Sequence, residues 1–363
     1  MILSELKIHY LRNLSSIKLK LHPRFNFISG ANGSGKTSIL EALYLLSCGH
    51  SFRSREIAPI IQQGQSTFTV FARGVEQETI SIQKSSAQST QIKLNNQFCS
   101  STSQLAYALP CQIFYSDIFQ IIDAGPAVRR SVLDWGLFHV KPNYLSLLKD
   151  YKRVLKHRNA LLKKHAPYTH FLPWDKQLSD LATQLDLLRQ EYFIRWEQEF
   201  HGVLELLTDL ECSLNYFKGW DKKNCGIELQ QVLQDHFESD KHKQYTQYGA
   251  HQADILIESN SNKAKQFLSR GQQKIILIAL KLAQANLVEL DCLYLLDDLP
   301  AELDEIHQRK LLTYLSSRRG QYVVTTNTSA EFLHSLCPNE SGFCYELNQG
   351  AMQNYDVPRE TLI

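Results

Sequence analysis

The sequence has no long hydrophobic run and almost no excess of charge of either sign. Its most apolar stretch, residues 275–282, is too short to cross a bilayer and is interrupted by Lys281. The first residues carry Glu5 and no cleavable apolar core, so no signal peptide is expected. Lys and Arg number 39 and Asp and Glu 37, which leaves a net charge of +2. A nucleic-acid partner would therefore have to bind through local basic patches.

Cysteine pairs at metal-binding spacing are also missing. The eight cysteines, at positions 48, 99, 111, 212, 225, 292, 337 and 344, include no C-x-x-C pair, which gives a zinc site little support. We expect reduced, mostly buried thiols of a cytoplasmic protein. With 363 residues, 43% of them hydrophobic and 21% charged, the chain has the balance of a globular protein of one large domain or two ordinary ones.

One segment carries a complete phosphate-binding signal. Residues 25–28 are predicted to end a buried strand, and residues 38–46 have apolar side chains at helical spacing. Between them, residues 30–37 read G-A-N-G-S-G-K-T and fit the phosphate-loop pattern G-x-x-x-x-G-K-[ST]. The alternative, a glycine-rich turn with a surface lysine, does not require a strand before it and a helix after it. We therefore predict a nucleoside-triphosphate site.

The residue types in this loop suit the binding of phosphate. Glycines let the backbone curl so that its N–H groups point at phosphate oxygens, and the helix N-terminus adds its positive dipole. Lys36 is predicted to reach the β- and γ-phosphates of ATP, and the Thr37 hydroxyl is predicted to ligate Mg²⁺. The predicted nucleotide-contacting residues of the loop are Gly30, Ala31, Asn32, Gly33, Ser34, Gly35, Lys36, Thr37 and Ser38.

The surrounding sequence predicts a strand-rich first third. Short alternating or β-branched runs predict strands at residues 2–10, 16–21, 67–72, 79–83, 90–94 and 111–115. Those between residues 67 and 94 are predicted to form an antiparallel meander. Gly125-Pro126 then opens a helix that runs to about His139. In this helix Arg129 and Arg130 either hold an anion or form a solvated or salt-bridged face.

Two long helices are predicted to follow as a projecting arm. Residues 141–165 and 178–207 both repeat apolar residues at three- and four-residue steps, with a proline-containing link at residues 167–173. This pattern predicts an antiparallel helical hairpin. The other face of the first helix is predicted to carry Lys141, Lys149, Lys152, Arg153, Lys156, Arg158, Lys163 and Lys164. That basic face either binds DNA, with Lys149, Lys152, Arg153 and Lys156 as first candidates, or keeps the helix soluble.

A second group of phosphate-binding residues lies in the last third. Leu268-Ser-Arg-Gly-Gln-Gln-Lys274 precedes an apolar helix predicted at residues 275–290. Ser269, Gly271 and Gln272 would there offer a hydroxyl, a flexible backbone and a helix N-terminus to a phosphate.

Two carboxylates are predicted to complete the site. Residues 292–296 predict a buried parallel strand that ends in Asp297 and Asp298. Asp297 is predicted to hold Mg²⁺ through water and Asp298 to orient the attacking water. A further strand predicted at residues 321–325 ends in Thr325-Thr326-Asn327, whose side-chain donors would sense the γ-phosphate.

These motifs together resemble a known family. The residues that carry the likeness are 25–40, Gln112, 125–126, 129–130, 133–135, 268–274 and 296–304. They are similar to the ABC-type ATPase heads of SMC-like DNA-repair proteins and, among these, to the RecF family, from residue 1 to about residue 350. The resemblance implies an α/β fold, a P-loop ABC-type ATPase head with an inserted α-helical, short coiled-coil-like arm. The implied domains are 1–125, 126–240 and 241–363, with the helical arm in the middle.

The resemblance also implies a function in recombinational DNA repair, replication and the DNA-damage (SOS) response. RecF-like proteins bind ATP with Mg²⁺, dimerise head-to-tail around two nucleotides, bind double-stranded and gapped DNA, and help RecO and RecR place RecA at single-strand gaps. Ser269 and Gly271 would contact the γ-phosphate held by the loop of the other chain, and Gln112 would lie near Mg²⁺. Hydrolysis is expected to be weak, DNA-dependent and switch-like.

Some positions depart from the related patterns, and two other functions stay open. Arg270 replaces the second glycine of a transporter-type signature, and Asp298 is one methylene shorter than the transporter glutamate, so turnover is expected to be slow. Ala301 stands where many relatives have serine and Ser116 where proline is common. The nucleotide-binding subunit of a membrane transporter shares these motifs, but the arm at residues 141–207 and the absence of a switch histidine after Thr325 speak against it. A phosphoryl-transfer kinase would leave residues 268–274 unexplained.

Overall fold

The strands in the described part of the chain form three sheets. A computed structural model describes residues 1–223, 225–259, 262–299, 303–329 and 342–355. The strands are β1 Leu3–Leu11, β2 Leu14–Lys20, β3 Phe25–Ser29, β4 Thr67–Gly74, β5 Thr79–Ser85, β6 Gln91–Leu94, β7 Gln97–Phe98, β8 Cys111–Phe114, β9 Ser213–Phe217, β10 Asp254–Ser259, β11 Asn262–Lys263, β12 Leu293–Leu296, β13 Gln321–Thr326, β14 Gly342–Asn348 and β15 Ala351–Tyr355.

Helices occur throughout the chain and vary greatly in length. They are α1 Lys36–Cys48, α2 Ser103–Ala108, α3 Gln120–Asp123, α4 Pro126–Val140, α5 Tyr144–Lys163, α6 Leu172–Leu207, α7 Leu229–Asp235, α8 Phe237–Lys243, α9 Ala264–Phe267, α10 Arg270–Asn286 and α11 Glu305–Ser316. Short 3-10 turns lie at Ala58–Ile60, Ser116–Phe119, Tyr168–His170 and Ala250–Gln252. None of the helices within the described ranges is long and apolar enough to cross a membrane.

The chain packs as two units, Met1–Ile118 with Leu290–Ile363, and Phe119–Glu289. The first unit holds two six-stranded sheets. One has the order β15-β14-β3-β13-β12-β8 and is parallel except for β15. Every residue of β8, β12 and β13 is buried, as is typical of parallel strands covered on both faces. The parallel strand predicted before the acidic pair is therefore confirmed.

The other sheet of the first unit is antiparallel, in the order β2-β1-β4-β5-β6-β7. The strand pair predicted at the N-terminus and the predicted meander are confirmed, and they belong to the same sheet. Buried and accessible residues alternate along β4 and β5, because one face packs into the core around α1.

The second unit contains the predicted helical hairpin. Near one end of the pair Tyr144 of α5 contacts Arg189 of α6, and near the other Arg158 contacts Asp175, so the two helices run antiparallel as predicted. Helix α6 begins at Leu172, inside the segment predicted as a link, because proline is tolerated in a first helical turn. The apolar helix α10 also belongs to this unit, where the Trp196 indole donates to the carbonyl of Leu280.

One residue of the predicted basic face is placed wrongly by the sequence. The Arg158 side chain is fully buried and donates to Asp175 at 2.7 Å and to Asp240 at 2.6 Å. Position 158 follows Tyr151 and Val154 at seven- and four-residue steps, so helical periodicity puts it on the buried face of α5. Burial of a guanidinium is tolerated here because two carboxylates neutralise it.

The described cysteines form no disulfide bonds. The seven described cysteines are free thiols, and four of them, Cys111, Cys212, Cys292 and Cys344, are buried. Cys337, Ala301 and residue 302 lie outside the described residues.

Candidate nucleotide-binding site

The phosphate loop runs from the end of β3 to the start of α1. Gly30, Gly33 and Gly35 have φ of 151°, 79° and 113°, a backbone region that favours glycine. A Cβ on Gly30 would also lie 2.3 Å from the backbone carbonyl oxygen of Leu347, and one on Gly35 would lie 2.7 Å from the Leu14 side chain, which would have to shift. The glycines noted in the sequence are therefore required by the shape of the loop.

Lys36, the first residue of α1, turns back into the loop. Its ammonium donates to the carbonyl oxygens of Gly30 at 2.6 Å and Ala31 at 3.0 Å, and the residue is 8% exposed. Burial lowers the pKa of Lys36, and the nearby charges of Asp298 and Asp297 oppose that effect. A cation thus lies where the phosphates of a nucleotide would enter the loop, held by weak neutral acceptors that an anion can replace.

The acidic pair lies at the end of β12, next to the start of α1. Asp297 accepts hydrogen bonds from the Thr37 hydroxyl at 3.0 Å and from the Thr325 hydroxyl at 2.8 Å. Burial raises the pKa of Asp297, and these two hydrogen bonds oppose the rise. The strands β3, β12 and β13 therefore bring the predicted metal-binding residues Thr37 and Asp297 into direct contact.

Asp298 is held in an unusual backbone conformation. Its φ is 47°, in the left-handed region that non-glycine residues seldom adopt, and its N–H donates to the Thr325 hydroxyl at 2.9 Å. Its carboxylate oxygen Oδ1 is buried without a hydrogen-bond partner. Strain of this kind costs about 1–3 kcal/mol and concentrates at functional sites. The backbone of Asp298, the predicted water-orienting residue, is thus fixed in place, and its Oδ1 can still accept a hydrogen bond.

The turn between β1 and β2 supports the loop from outside, which the sequence analysis did not foresee. The Asn13 amide donates to the carbonyl of Gly33 at 3.1 Å and accepts from the Ser38 hydroxyl at 3.1 Å. Arg12 pairs with the fully buried Glu41 of α1 through two hydrogen bonds of 2.9 and 2.8 Å. The Ser51 hydroxyl also donates to Glu41.

These groups fit ATP with Mg²⁺. The buried Asp298 Oδ1 and Ser34 hydroxyl have no hydrogen-bond partner, and both lie on the segments that would surround the phosphates. Within the described residues no three His, Cys, Asp or Glu side chains cluster as a self-contained metal site. A site of this kind suits Mg²⁺, which keeps several waters and binds one or two protein oxygens together with substrate phosphates.

Gln112, predicted to lie near Mg²⁺, occupies the interior of β8. It pairs in register with Tyr294, and Asp297 comes three residues after Tyr294. At about 3.3 Å per residue the two levels are roughly 10 Å apart along the strand. Its buried amide nitrogen has no hydrogen-bond partner. Because of this separation we leave Gln112 out of the proposed metal site.

The signature segment begins α10 in the second unit. The Ser269 hydroxyl accepts from the N–H of Gln272 at 3.3 Å, and the Gln272 side chain accepts from the N–H of Ser269 at 2.9 Å, which is a capping box. Arg270 pairs with Asp123 at 3.0 Å and lies over the ring of Phe119. Ser269 is exposed. The predicted contact of Ser269, Gly271 and Gln272 with a phosphate stays a prediction.

The arginines of α4 are engaged in salt bridges and hydrogen bonds within the unit. Arg129 donates to both carboxylate oxygens of Asp254, at 2.7 and 3.0 Å. Arg130 donates to the carbonyl of Ala253 at 2.7 Å. The salt-bridged alternative is therefore confirmed for Arg129.

The candidate DNA-binding face of α5 is accessible. Lys149, Lys152, Arg153 and Lys156 are all exposed, and Arg153 pairs with Asp150 at 3.0 Å. Whether this face binds DNA stays a prediction.

Two solved structures illustrate the similarity of fold. A structure described as the recombination mediator protein RecF-ATP in the RecFOR pathway has a TM-score of 0.84 at 24% identity and covers 98% of this chain and 97% of that one. An Smc head bound to the C-winged helix domain of ScpA has a TM-score of 0.62 at 16% identity and covers 99% and 98%. At these identities the likeness concerns the fold, and it confirms the predicted α/β ATPase head.

Sequence comparison shows closer relatives over nearly the whole length. The family model "RecF/RecN/SMC N terminal domain" matches residues 2–338. "DNA replication and repair protein RecF" of Cellvibrio japonicus (strain Ueda107) is 39% identical over 90% of this chain and 91% of the relative. The protein of the same name from Pseudomonas syringae pv. syringae (strain B728a) is 37% identical over 99% and 100%. The chain therefore belongs to the RecF family.

Proposed function

We propose that this chain is an ATP-binding protein of DNA repair, replication and recombination. One observation carries the proposal: Lys36 enters the phosphate loop while Thr37 donates to Asp297, the carboxylate at the end of the neighbouring buried strand. Its relatives named for DNA replication and repair supply the biological context. Membership of this family does not favour the transporter alternative, and a kinase would leave the capped signature helix unexplained.

Each residue of the site has a defined task in this proposal. The backbone N–H groups of residues 30–37 cradle the phosphates, and Lys36 exchanges its carbonyl partners for the β- and γ-phosphates. Thr37 and Asp297 hold Mg²⁺, which neutralises charge on the phosphates when it is bound. Asp298 orients the attacking water with its free carboxylate oxygen. Its short side chain makes turnover slow, which suits a switch.

The signature is proposed to act across a dimer. Ser269 and Gly271 at the start of α10 would cap the γ-phosphate bound by another copy of the chain, since the loop already surrounds the phosphates of its own nucleotide from one side. ADP lacks the γ-phosphate, so hydrolysis removes the differential affinity that favours the dimer. The proposed partners are double-stranded and gapped DNA, RecR with RecO, and RecA indirectly, in the cytoplasm.

The variant Lys36→Ala tests the nucleotide site. It removes two charge-assisted hydrogen bonds to phosphate, so we expect ATP affinity to fall about 100-fold. Isothermal titration calorimetry with ATP and Mg²⁺ measures the change in affinity. The matched control is Lys222→Ala, which replaces an exposed lysine of the other unit. Unchanged affinity in a folded Lys36→Ala variant would contradict the site.

A further inference from the structure

The antiparallel sheet of the first unit has two unlike faces. One face is apolar and packs into the core with α1. The other consists of side chains that are exposed or partly exposed. We call it the outer face, and its residues are Ser16, Lys18 and Lys20 of β2, Glu5, Lys7 and His9 of β1, Thr69, Phe71 and Arg73 of β4, Thr79, Ser81 and Gln83 of β5, Gln91 and Lys93 of β6, and Phe98 of β7.

The register aligns one row of side chains across all six strands of this sheet. In each pair the two residues are direct cross-strand partners. The row reads Lys18, Lys7, Phe71, Ser81, Lys93 and Phe98. Directly paired side chains lie close enough to interact. Two short basic and aromatic groups, separated only by Ser81, therefore lie along one line of the sheet.

The outer face is strongly positive although the whole chain is nearly neutral. Five basic residues, Lys7, Lys18, Lys20, Arg73 and Lys93, share it with a single acid, Glu5. Glu5 lies 3.4 Å from the Lys7 ammonium and 3.5 Å from that of Lys18. Because one carboxylate cannot neutralise five cations, the face is complementary to a polyanion.

Both aromatic rings on this face lie beside a lysine. The Lys93 ammonium is 4.7 Å from the ring centroid of Phe98, and that of Lys7 is 5.5 Å from the ring of Phe71. Phe98 is 69% exposed, so most of its ring is open to solvent. Three strand spacings separate the two aromatic residues, about 14 Å, which leaves room for bases and phosphates to alternate between them.

We propose that the outer face binds a single strand of DNA, with bases against Phe71 and Phe98 and phosphates on the lysines of the row. This rests on the proposed function, which supplies DNA as the polyanion. A single strand is favoured over a duplex because its base faces are free to stack on aromatic rings, whereas those of a duplex are already stacked. The face of a sheet also lacks a projecting element that would enter a groove.

The test measures binding of a labelled thymidine oligonucleotide, and of a duplex of equal length, by fluorescence anisotropy with the full chain. Phe98→Ala is expected to weaken single-strand binding about tenfold and to leave duplex binding unchanged. Tyr245→Ala, at an aromatic residue that is 48% exposed in the other unit, is the matched control and is expected to leave both unchanged. Circular dichroism checks that each variant is folded.

A second variant tests the charges independently of the ring. Lys18→Ala combined with Lys93→Ala is expected to lower the slope of log affinity against log salt by about 1.4 for the single strand, or about 0.7 for each lost phosphate contact. If the wild-type chain binds the duplex but not the single strand, the inference is overturned, whereas the proposed function is not affected. Equal losses for both DNA forms, or none for Phe98→Ala, would overturn it too. Failure of the wild-type chain to bind either form would refute the proposed function itself.

Discussion

Thr325 connects both acidic residues of the site, and Thr325→Val removes that connection alone. Its hydroxyl donates to Asp297 at 2.8 Å and accepts from the N–H of Asp298 at 2.9 Å, and the residue is fully buried. Valine has nearly the same shape but no hydroxyl. The substitution therefore leaves the packing of β13 in place while both carboxylate residues lose a hydrogen-bond partner.

The expected loss follows from those two contacts. A hydrogen bond to a charged group contributes about 1.5–3 kcal/mol, and an unsatisfied buried N–H costs about 1–3 kcal/mol. We expect Thr325→Val to lower the free energy of unfolding by about 3 kcal/mol. Thr325→Ser keeps the hydroxyl and loses one methyl group, so about 1 kcal/mol is expected. Substitution of a residue that orients a metal ligand typically lowers metal affinity about 10- to 100-fold. Mg²⁺-dependent ATP binding by Thr325→Val should therefore weaken by at least tenfold.

The assay has to report on the first unit. The four tryptophans, Trp135, Trp174, Trp196 and Trp220, all lie in the unit Phe119–Glu289, so urea unfolding is followed by far-ultraviolet circular dichroism. Fluorescent ATP titrated at several Mg²⁺ concentrations gives the metal dependence. Thr325→Ser is the matched control, because it keeps the hydroxyl that contacts Asp297 and Asp298. If Thr325→Val matched Thr325→Ser in both measurements, the connection would not matter for either stability or metal binding.

Three further predictions follow from charge, the signature and pH. If the basic face of α5 contacts two phosphates, Lys152→Glu combined with Lys156→Glu is expected to reduce the slope of log affinity against log salt for duplex DNA by about 1.8. An unchanged slope would show that duplex DNA binds at another surface. Ser269→Arg is expected to leave ATP binding by each chain intact while blocking ATP-dependent dimerisation and turnover, as measured by light scattering and phosphate release; a dimer with undiminished turnover would contradict action across an interface. Burial lowers the pKa of His139 to about 4, below the usual 6.5 of an unfolded chain. Between pH 4 and pH 6.5 the unfolded state therefore binds more protons than the folded state. The free energy of unfolding should fall by up to about 3 kcal/mol as pH decreases from 6.5 to 4. Urea unfolding followed by tryptophan fluorescence measures this change, and the variant His139→Phe should not show it.

Local sequence was sufficient for the phosphate loop and for most strands and helices. The positive φ of Gly30, Gly33 and Gly35 is a local requirement that glycine satisfies, so the pattern is readable without neighbours. The capping box of Ser269 and Gln272 is equally local, because its partners are three residues apart. Continuous apolar runs likewise marked the buried parallel strands.

Contacts between distant residues were decided only by the tertiary structure. Arg158 looked like a surface cation because its partners Asp175 and Asp240 lie 17 and 82 residues away. Gln112 was assigned to the metal by resemblance, and only the pairing of β8 with β12 showed its level in the sheet. The row from Lys18 to Phe98 likewise exists only through the register of six strands. Dihedral preferences and periodicity act within a few residues, whereas strand register and ion pairing depend on how the whole core packs.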